Sequence, residues 1–293
     1  MERRTLFPGR LLPAVLVVPQ LALTAVFFLW PAGQAVWSSL TREDPFGLSA
    51  QFVGLANFAD LFADPFYLAT IGRTVLFCAL VAALSMGAGL GLALFADRDL
   101  RGRGFYRAML TWPYAVAPAM AAVLWILVMH PQIGLLGRLL NAHGIPWDYK
   151  LNGAQAMGLA VFASAWKQVG YDFIFFLAGL QSVPKAVVEA ARVDGARGAR
   201  LFRAITLPLL APTILFLLVV NLVYAAFDTF PTIWALNEGG PGKATETLVV
   251  KAYRDGIINA DLGSSAAQSV VLMAGVIALT ALQFRVLGRR SSA

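Results

Sequence analysis

Six apolar runs, separated by basic or Gly/Pro-rich stretches, set the pattern of this chain. A helix needs about 20 apolar residues to cross the hydrocarbon core of a bilayer. Runs of that length fall at about 11–31, 74–96, 108–129, 155–180, 205–228 and 262–284. The second is uncharged between Arg73 and Asp97, and the sixth between Asp261 and Arg285. Pro113 and Pro118 lie in the third, which predicts a kink or break there, because proline removes a helix donor and crowds the preceding turn. Lys167 and Asp172 interrupt the fourth. The pattern predicts an all-α polytopic membrane protein with six transmembrane helices, a single transmembrane domain over residues 1–293.

Composition agrees. The chain has 293 residues, 59% hydrophobic and only 13% charged, against roughly 25% charged in soluble domains. The net charge of +7 reads as topology signals rather than nucleic-acid binding, since Lys and Arg collect on the cytoplasmic side of membrane proteins. One set of flanks holds Arg3, Arg4, Arg10; Arg98, Arg101, Arg103, Arg107; Lys185, Arg192, Arg197, Arg200, Arg203; and Arg285, Arg289, Arg290. The opposite set holds only Arg42, Arg73, Arg138, Lys150, Lys243, Lys251 and Arg254. The richer side is expected to be cytoplasmic, which places both termini inside. Glu2-Arg3-Arg4 before an apolar stretch also opens signal peptides. Here the uncharged run continues to Thr41 and five further spans follow, so a retained span is expected. A single thiol, Cys78, builds neither a disulfide nor a zinc site within the chain. Two long outer loops, 32–73 and 229–261, are large enough to meet a protein partner, or else simply cap the bundle.

The most informative segment is 182–208, a basic cytoplasmic loop between the fourth and fifth spans. Ser182 is a good N-cap and Pro184 is tolerated in a first turn. Lys185 to Asp194 reads as a short helix, Gly195 as its left-handed terminator, and Ala196 to Phe202 as a second short helix along the membrane. Ala190, Ala191 and Ala196 leave room for another backbone, while Glu189, Arg192 and Arg200 offer charge at the edges. Phe202 and Ile205 anchor the segment, and Pro208 and Pro212 open the fifth span. Positive-inside charge alone leaves the ordered Glu-Ala-Ala-x-x-Asp-Gly-Ala arrangement unexplained.

Energy-coupling chemistry is missing from the sequence. There is no G-x-x-x-x-G-K-[ST] phosphate loop: Gly242-Lys243 is a near miss, with Asn237 where the first Gly belongs and Ala244 after the Lys. No H-E-x-x-H occurs, and His130 and His143 are isolated. The expectation is a chain with no catalytic residues, no metal and no bound cofactor.

Residues 189–208 resemble the EAA loop of permease subunits of bacterial ABC importers at every diagnostic position. Phe52-Val53-Gly54-Leu55-Ala56-Asn57-Phe58 and Gly239-Gly240-Pro241 are similar to the carbohydrate-importer, maltose-permease-like branch. A narrower likeness, to the first permease subunits of sn-glycerol-3-phosphate importers, is carried by Trp30-Pro31-Ala32-Gly33, Asp44-Pro45-Phe46-Gly47, Trp112 to Pro118, Phe227-Asp228-Thr229-Phe230-Pro231 and Ser264 to Met273. The resemblance implies a type I importer permease in the bacterial inner membrane. It implies a second, different permease subunit, two copies of a cytoplasmic ATPase that use ATP and Mg, and a periplasmic substrate-binding protein. It implies that Glu189, Ala190, Ala191, Asp194, Gly195, Ala196, Phe202 and Pro208 form the ATPase-coupling surface, and that the cargo is sn-glycerol-3-phosphate or related glycerophosphodiesters. A neutral sugar or polyol is the alternative within the family. A self-sufficient channel or carrier leaves the 182–208 segment unexplained, and a membrane enzyme lacks clustered His, Cys or paired carboxylates.

A phosphate ester needs a cation, a helix N-terminus or polar donors along its path. Lys167 lies about 15 residues from the cytoplasmic end of its span, roughly 22 Å at 1.5 Å per residue, and an intramembrane charge is a functional candidate. Tyr171, Asn221, Tyr224, Asp228 and Gln268 are the other candidate pathway residues. The competing reading is that Lys167 pairs with Asp172 or Asp228 and only holds helices together.

Overall fold

The computed structural model describes residues 11–44, 49–97 and 103–291. Arg3, Arg4, Arg10, Arg98, Arg101 and the Pro45-Phe46-Gly47 stretch lie outside them. The chain is built almost wholly of helices. Four are long and apolar enough to cross a membrane: Ala14–Ser39, Pro65–Ala96, Ala211–Asp228 and Leu262–Gln283. Counting each of two bent helix pairs as one span brings the number to six.

The breaks follow from proline. A residue before proline is pushed out of the helical region, and Ala117 before Pro118 is extended at ψ 139°. Helices Arg103–Ala115 and Pro118–Met129 therefore meet at 102°. Pro113, expected to share in this break, sits inside the first helix without ending it. Val183 before Pro184 is likewise extended at ψ 124°, so Gly153–Ser182 stops and Lys185–Val193 leaves at 68°.

Several boundaries differ from the sequence reading. The second span starts at Pro65, so Arg73 lies within the helix rather than in the outer loop. Its guanidinium donates to Thr70 Oγ1 at 2.6 Å and to the Glu246 carbonyl at 3.4 Å. Ser182 does not cap the next helix; it ends the previous one, with its hydroxyl on the Gly179 carbonyl at 2.7 Å. The second short helix of the 182–208 segment is only Gly198–Leu201 and runs into a wide π-type turn, Phe202–Thr206.

Two compact units emerge. One joins Met1–Asp64 to Ala252–Val271. Here a short antiparallel hairpin pairs Thr41–Glu43 with Ala50–Phe52. The buried Asn57 amide then ties the chain together by donating to the Ser39 and Thr41 carbonyls, each at 2.9 Å.

The other unit joins Pro65–Lys251 to Leu272–Ala293 and is organised around Gly153–Ser182. Membrane helices lack a hydrophobic drive to associate and rely on small residues for close packing. This helix buries Ala156, Ala160, Ala163, Ser164, Ala165 and Gly170. At Gly170 an added Cβ would meet the Leu110 carbonyl at 2.8 Å, and on the facing Pro65–Ala96 helix one at Gly89 would meet the Asp172 Cβ at 2.6 Å. Phe77, Val81, Val161, Tyr224, Ile233 and Val250 fill one core, and Phe173, Phe176, Leu210 and Leu217 another. Within the predicted outer loop 229–261, Phe230–Asn237 and Leu248–Tyr253 are helical and Thr245, Glu246 and Thr247 are buried. The Leu248 N–H donates to Thr74 Oγ1 at 2.9 Å, which ties this loop to the Pro65–Ala96 helix.

Candidate translocation cavity and coupling helix

A cavity of about 780 Å³ opens in the larger unit, within the size range of small-molecule sites. Its walls come from the helix break (Tyr114, Pro118), the middle of Gly153–Ser182 (Lys167, Gln168, Tyr171), the end of the Ala211–Asp228 span (Tyr224, Phe227, Asp228), and Phe230, Pro231 and Val249. Apolar walls with a few convergent polar groups suit a small polar ligand.

Lys167 is 8% exposed. Its ammonium donates to the Tyr114 carbonyl at 3.2 Å and lies 5.0 Å from the Tyr114 ring centroid. That carbonyl is near the end of Arg103–Ala115, where carbonyls lack a partner in the next turn, so Lys167 caps one lip of the helix break. The Thr232 hydroxyl donates to the Pro118 carbonyl at 3.2 Å on the other lip. Asp228 is exposed and lines the same cavity, but no direct ion pair joins it to Lys167 among the described residues.

The predicted pathway residues thus separate. Lys167, Tyr171, Tyr224 and Asp228 share the cavity wall. Tyr224 offers only its ring, because its hydroxyl donates to the Ser164 carbonyl at 3.1 Å. Asn221 is wholly buried in a network: it donates to Asp172 Oδ1 at 2.7 Å and accepts from the Ser85 hydroxyl at 2.7 Å. This strut joins three spans and holds Asp172 through Oδ1 alone, Oδ2 having no hydrogen bond among the described residues, and no ion pair joins Asp172 to Lys167 there. Gln268 lies in the other unit and donates to Asp255 at 2.6 Å. Tyr114, Pro118 and Gln168 are not among the expected pathway residues: Pro118 reads in sequence only as a helix break, Tyr114 only as part of the Trp112 to Pro118 stretch and Gln168 only as a neighbour of Lys167, and their place in the cavity depends on the fold.

The Lys185–Val193 helix ends in a two-bond cap. Gly195, at φ +85°, donates to the Arg192 carbonyl at 3.1 Å, and Ala196 donates to the Ala191 carbonyl at 2.9 Å. This is the Schellman pattern, in which glycine supplies the left-handed residue. Ala191 turns inward, while Glu189, Ala190, Asp194 and Gly195 are exposed and Val193 is 87% exposed. Ala196 and Phe202 are half-buried and Pro208 is exposed. Among the described residues, Glu189, Arg192 and Arg200 form no ion pair within the chain. Charges and an apolar side chain are thus presented outward on a rigidly ended helix.

Residues 83–292 match the family of binding-protein-dependent transport system inner membrane components. The chain belongs to this family. It is 57% identical over 288 residues, 98% of each chain, to the sn-glycerol-3-phosphate transport system permease protein UgpA of Brucella abortus. It is 58% identical over 284 residues, 97% of each chain, to the protein of the same name from Agrobacterium fabrum. The fold matches, at 22% identity and a TM-score of 0.78, a chain in the crystal structure of a bacterial alginate ABC transporter bound to a periplasmic protein, covering 93% of this chain and 92% of that one. The architecture is that of an ABC-importer permease, and the protein is an inner-membrane transport component.

Proposed function

We propose that this chain is the permease subunit that carries sn-glycerol-3-phosphate, and related glycerophosphodiesters, through an ATP-driven importer. The observation that carries this reading is near-full-length identity of 57–58% to permeases named for that ligand. A buried lysine on the wall of a ligand-sized cavity supports it, because a phosphate ester needs a cation where water is scarce. The chain itself hydrolyses nothing. A second, different permease completes the pathway, and both termini face the cytoplasm. Two copies of a cytoplasmic ATPase bind ATP and Mg and grip Glu189, Ala190, Ala191, Asp194, Gly195, Ala196, Phe202 and Pro208 together with the equivalent helix of the second permease. ATP binding closes the ATPase pair, moves the Lys185–Val193 helix and turns the cavity outward toward the periplasmic binding protein; hydrolysis resets it.

The test is ATPase stimulation in the reconstituted complex by the binding protein loaded with glycerol-3-phosphate, against maltose-loaded and empty controls. Stimulation by the phosphate ester alone is expected. Stimulation only by a neutral sugar or polyol would remove the proposed cargo, and no coupling to an ATPase would remove the importer mechanism.

A further inference from the structure

The Pro118–Met129 helix begins inside the membrane-spanning part of the chain, at the level of Lys167, which is close to the midpoint of Gly153–Ser182. Its first turn has amide N–H groups, those of Ala119 and Met120, with no carbonyl one turn back to accept them. A helix start is normally capped by Ser, Thr, Asp or Asn. The cap position here is Ala117, which has no side chain able to bond them. In the hydrocarbon region such donors need a partner from protein, water or ligand; Pro118 itself lines the cavity, and Ala119 and Met120 follow it directly in the same turn.

A second observation comes from another helix. Gln168 is 2% exposed and lines the same cavity, and its side-chain amide makes no hydrogen bond among the described residues. The amide is open to the cavity, where a ligand can complete it.

Resting on the importer reading above, we infer that the uncapped start of Pro118–Met129, together with the Lys167 ammonium and the Gln168 amide, forms an anion subsite that takes the phosphate-monoester end of the cargo. The positive end of the helix and the ammonium supply charge. The Gln168 amide supplies a neutral, directional donor. Asp228, the acidic group of the cavity, is left to accept from the ligand's hydroxyls, so the cavity reads the two ends of a glycerol phosphate differently.

The complete complex in liposomes, with its ATPase, second permease and binding protein, separates this subsite from a structural role. Uptake of labelled glycerol-3-phosphate and ATP hydrolysis are measured together. Ala117→Asp supplies a carboxylate cap that favours the helix while occupying its donors and repelling an anion; Ala117→Ser supplies a neutral cap. The expected result is a fall of about ten-fold in uptake per ATP for Ala117→Asp and for Gln168→Leu, the worth of one charge-assisted hydrogen bond. Ligand-stimulated hydrolysis should fall less than uptake, and Ala117→Ser, which occupies the same donors without adding a negative charge, should lose less uptake per ATP than Ala117→Asp. Parent-like uptake per ATP in both Ala117→Asp and Gln168→Leu overturns the subsite but not the cargo. Equal losses of uptake and hydrolysis assign these positions to folding and also overturn it. A parent complex that imports only a neutral polyol overturns the cargo reading and the subsite with it.

Discussion

The Lys185–Val193 helix and the middle of Gly153–Ser182 are neighbours in sequence, yet they hold polar groups for opposite reasons. In the first, Glu189, Arg192 and Asp194 stand in solvent, and every structural feature is made by residues a few positions apart: Pro184 sets the start, and Gly195 with Ala196 closes the end. In the second, Lys167, Gln168 and Asp172 are buried within six residues of one another, and their partners come from distant segments or have yet to be supplied. Asp172 is held by Asn221, Lys167 by the Tyr114 carbonyl, and Gln168 by nothing within the described chain. A local surface device can be moved without disturbing the bundle, whereas a buried strut cannot.

The largest effect should come from breaking the strut. Asn221→Ala leaves Asp172 Oδ1 without its donor in a buried site and leaves the Ser85 hydroxyl only the Ala82 carbonyl at 3.4 Å, and an unsatisfied buried polar group costs about 1–3 kcal/mol. Thermal unfolding of the purified protein should register that loss directly. An unchanged unfolding midpoint with weakened uptake would instead move Asn221 onto the ligand path.

Gly195→Val should do less to the fold and more to coupling. Open space surrounds the position, with nothing within 4 Å of an added Cβ, so the cost is the left-handed backbone alone, about 1–2 kcal/mol. Local loss of the helix end should lower ligand-stimulated ATP hydrolysis about ten-fold, the equivalent of 1.4 kcal/mol, while the unfolding midpoint of the bundle stays near the parent value. A fall in both together would place Gly195 with the struts.

These two positions also mark what the sequence made legible. The six apolar runs and the Glu-Ala-Ala-x-x-Asp-Gly-Ala order could be read because their causes are short-range: helix length against bilayer thickness, proline before a turn, glycine after a helix. The Arg73 boundary was misread because an arginine within hydrophobic surroundings signals a span end unless a distant group receives it, and the Glu246 carbonyl lies far along the chain. Ser182 was misread as a cap because Pro184 shifts the helix start beyond its reach. Asn221 and Gln268 looked alike in sequence, as polar residues on apolar helices. Only the fold separates the Asp172 strut from the Asp255 contact, and both from the cavity wall.

Lys167 lies between the two kinds of residue, and its replacement should show a mixed phenotype. Lys167→Ala removes the donor to the Tyr114 carbonyl, worth about 1 kcal/mol, and also removes the cavity's cation. The unfolding midpoint should fall less than for Asn221→Ala, and uptake of the phosphate ester should fall further than the midpoint predicts. Transport at the parent rate and affinity would end the phosphate role and leave Lys167 as a cap for the helix break.

The smallest effect is expected at Tyr149, which does not line the cavity and tests whether a buried polar group away from it behaves as packing alone. Tyr149 is 2% exposed and packs with Ala122, Ala156, Leu159 and Leu236. Burial pushes its phenol above the ordinary tyrosine value, and the neighbouring Asp148 carboxylate adds to the rise. The folded state therefore keeps the proton at a pH where the unfolded chain has released it. With more protons bound in the folded state, stability falls as pH rises. It is level at neutral pH and begins to decline as the pH passes the ordinary tyrosine value of 10.0. Tyr149→Phe cannot ionise, so the alkaline decline should be shallower than in the parent when unfolding is followed from pH 8 to 11 (about one unit either side of that value and more), with transport at neutral pH unchanged. A variant that lost transport at neutral pH would show that this residue, too, belongs to the moving parts.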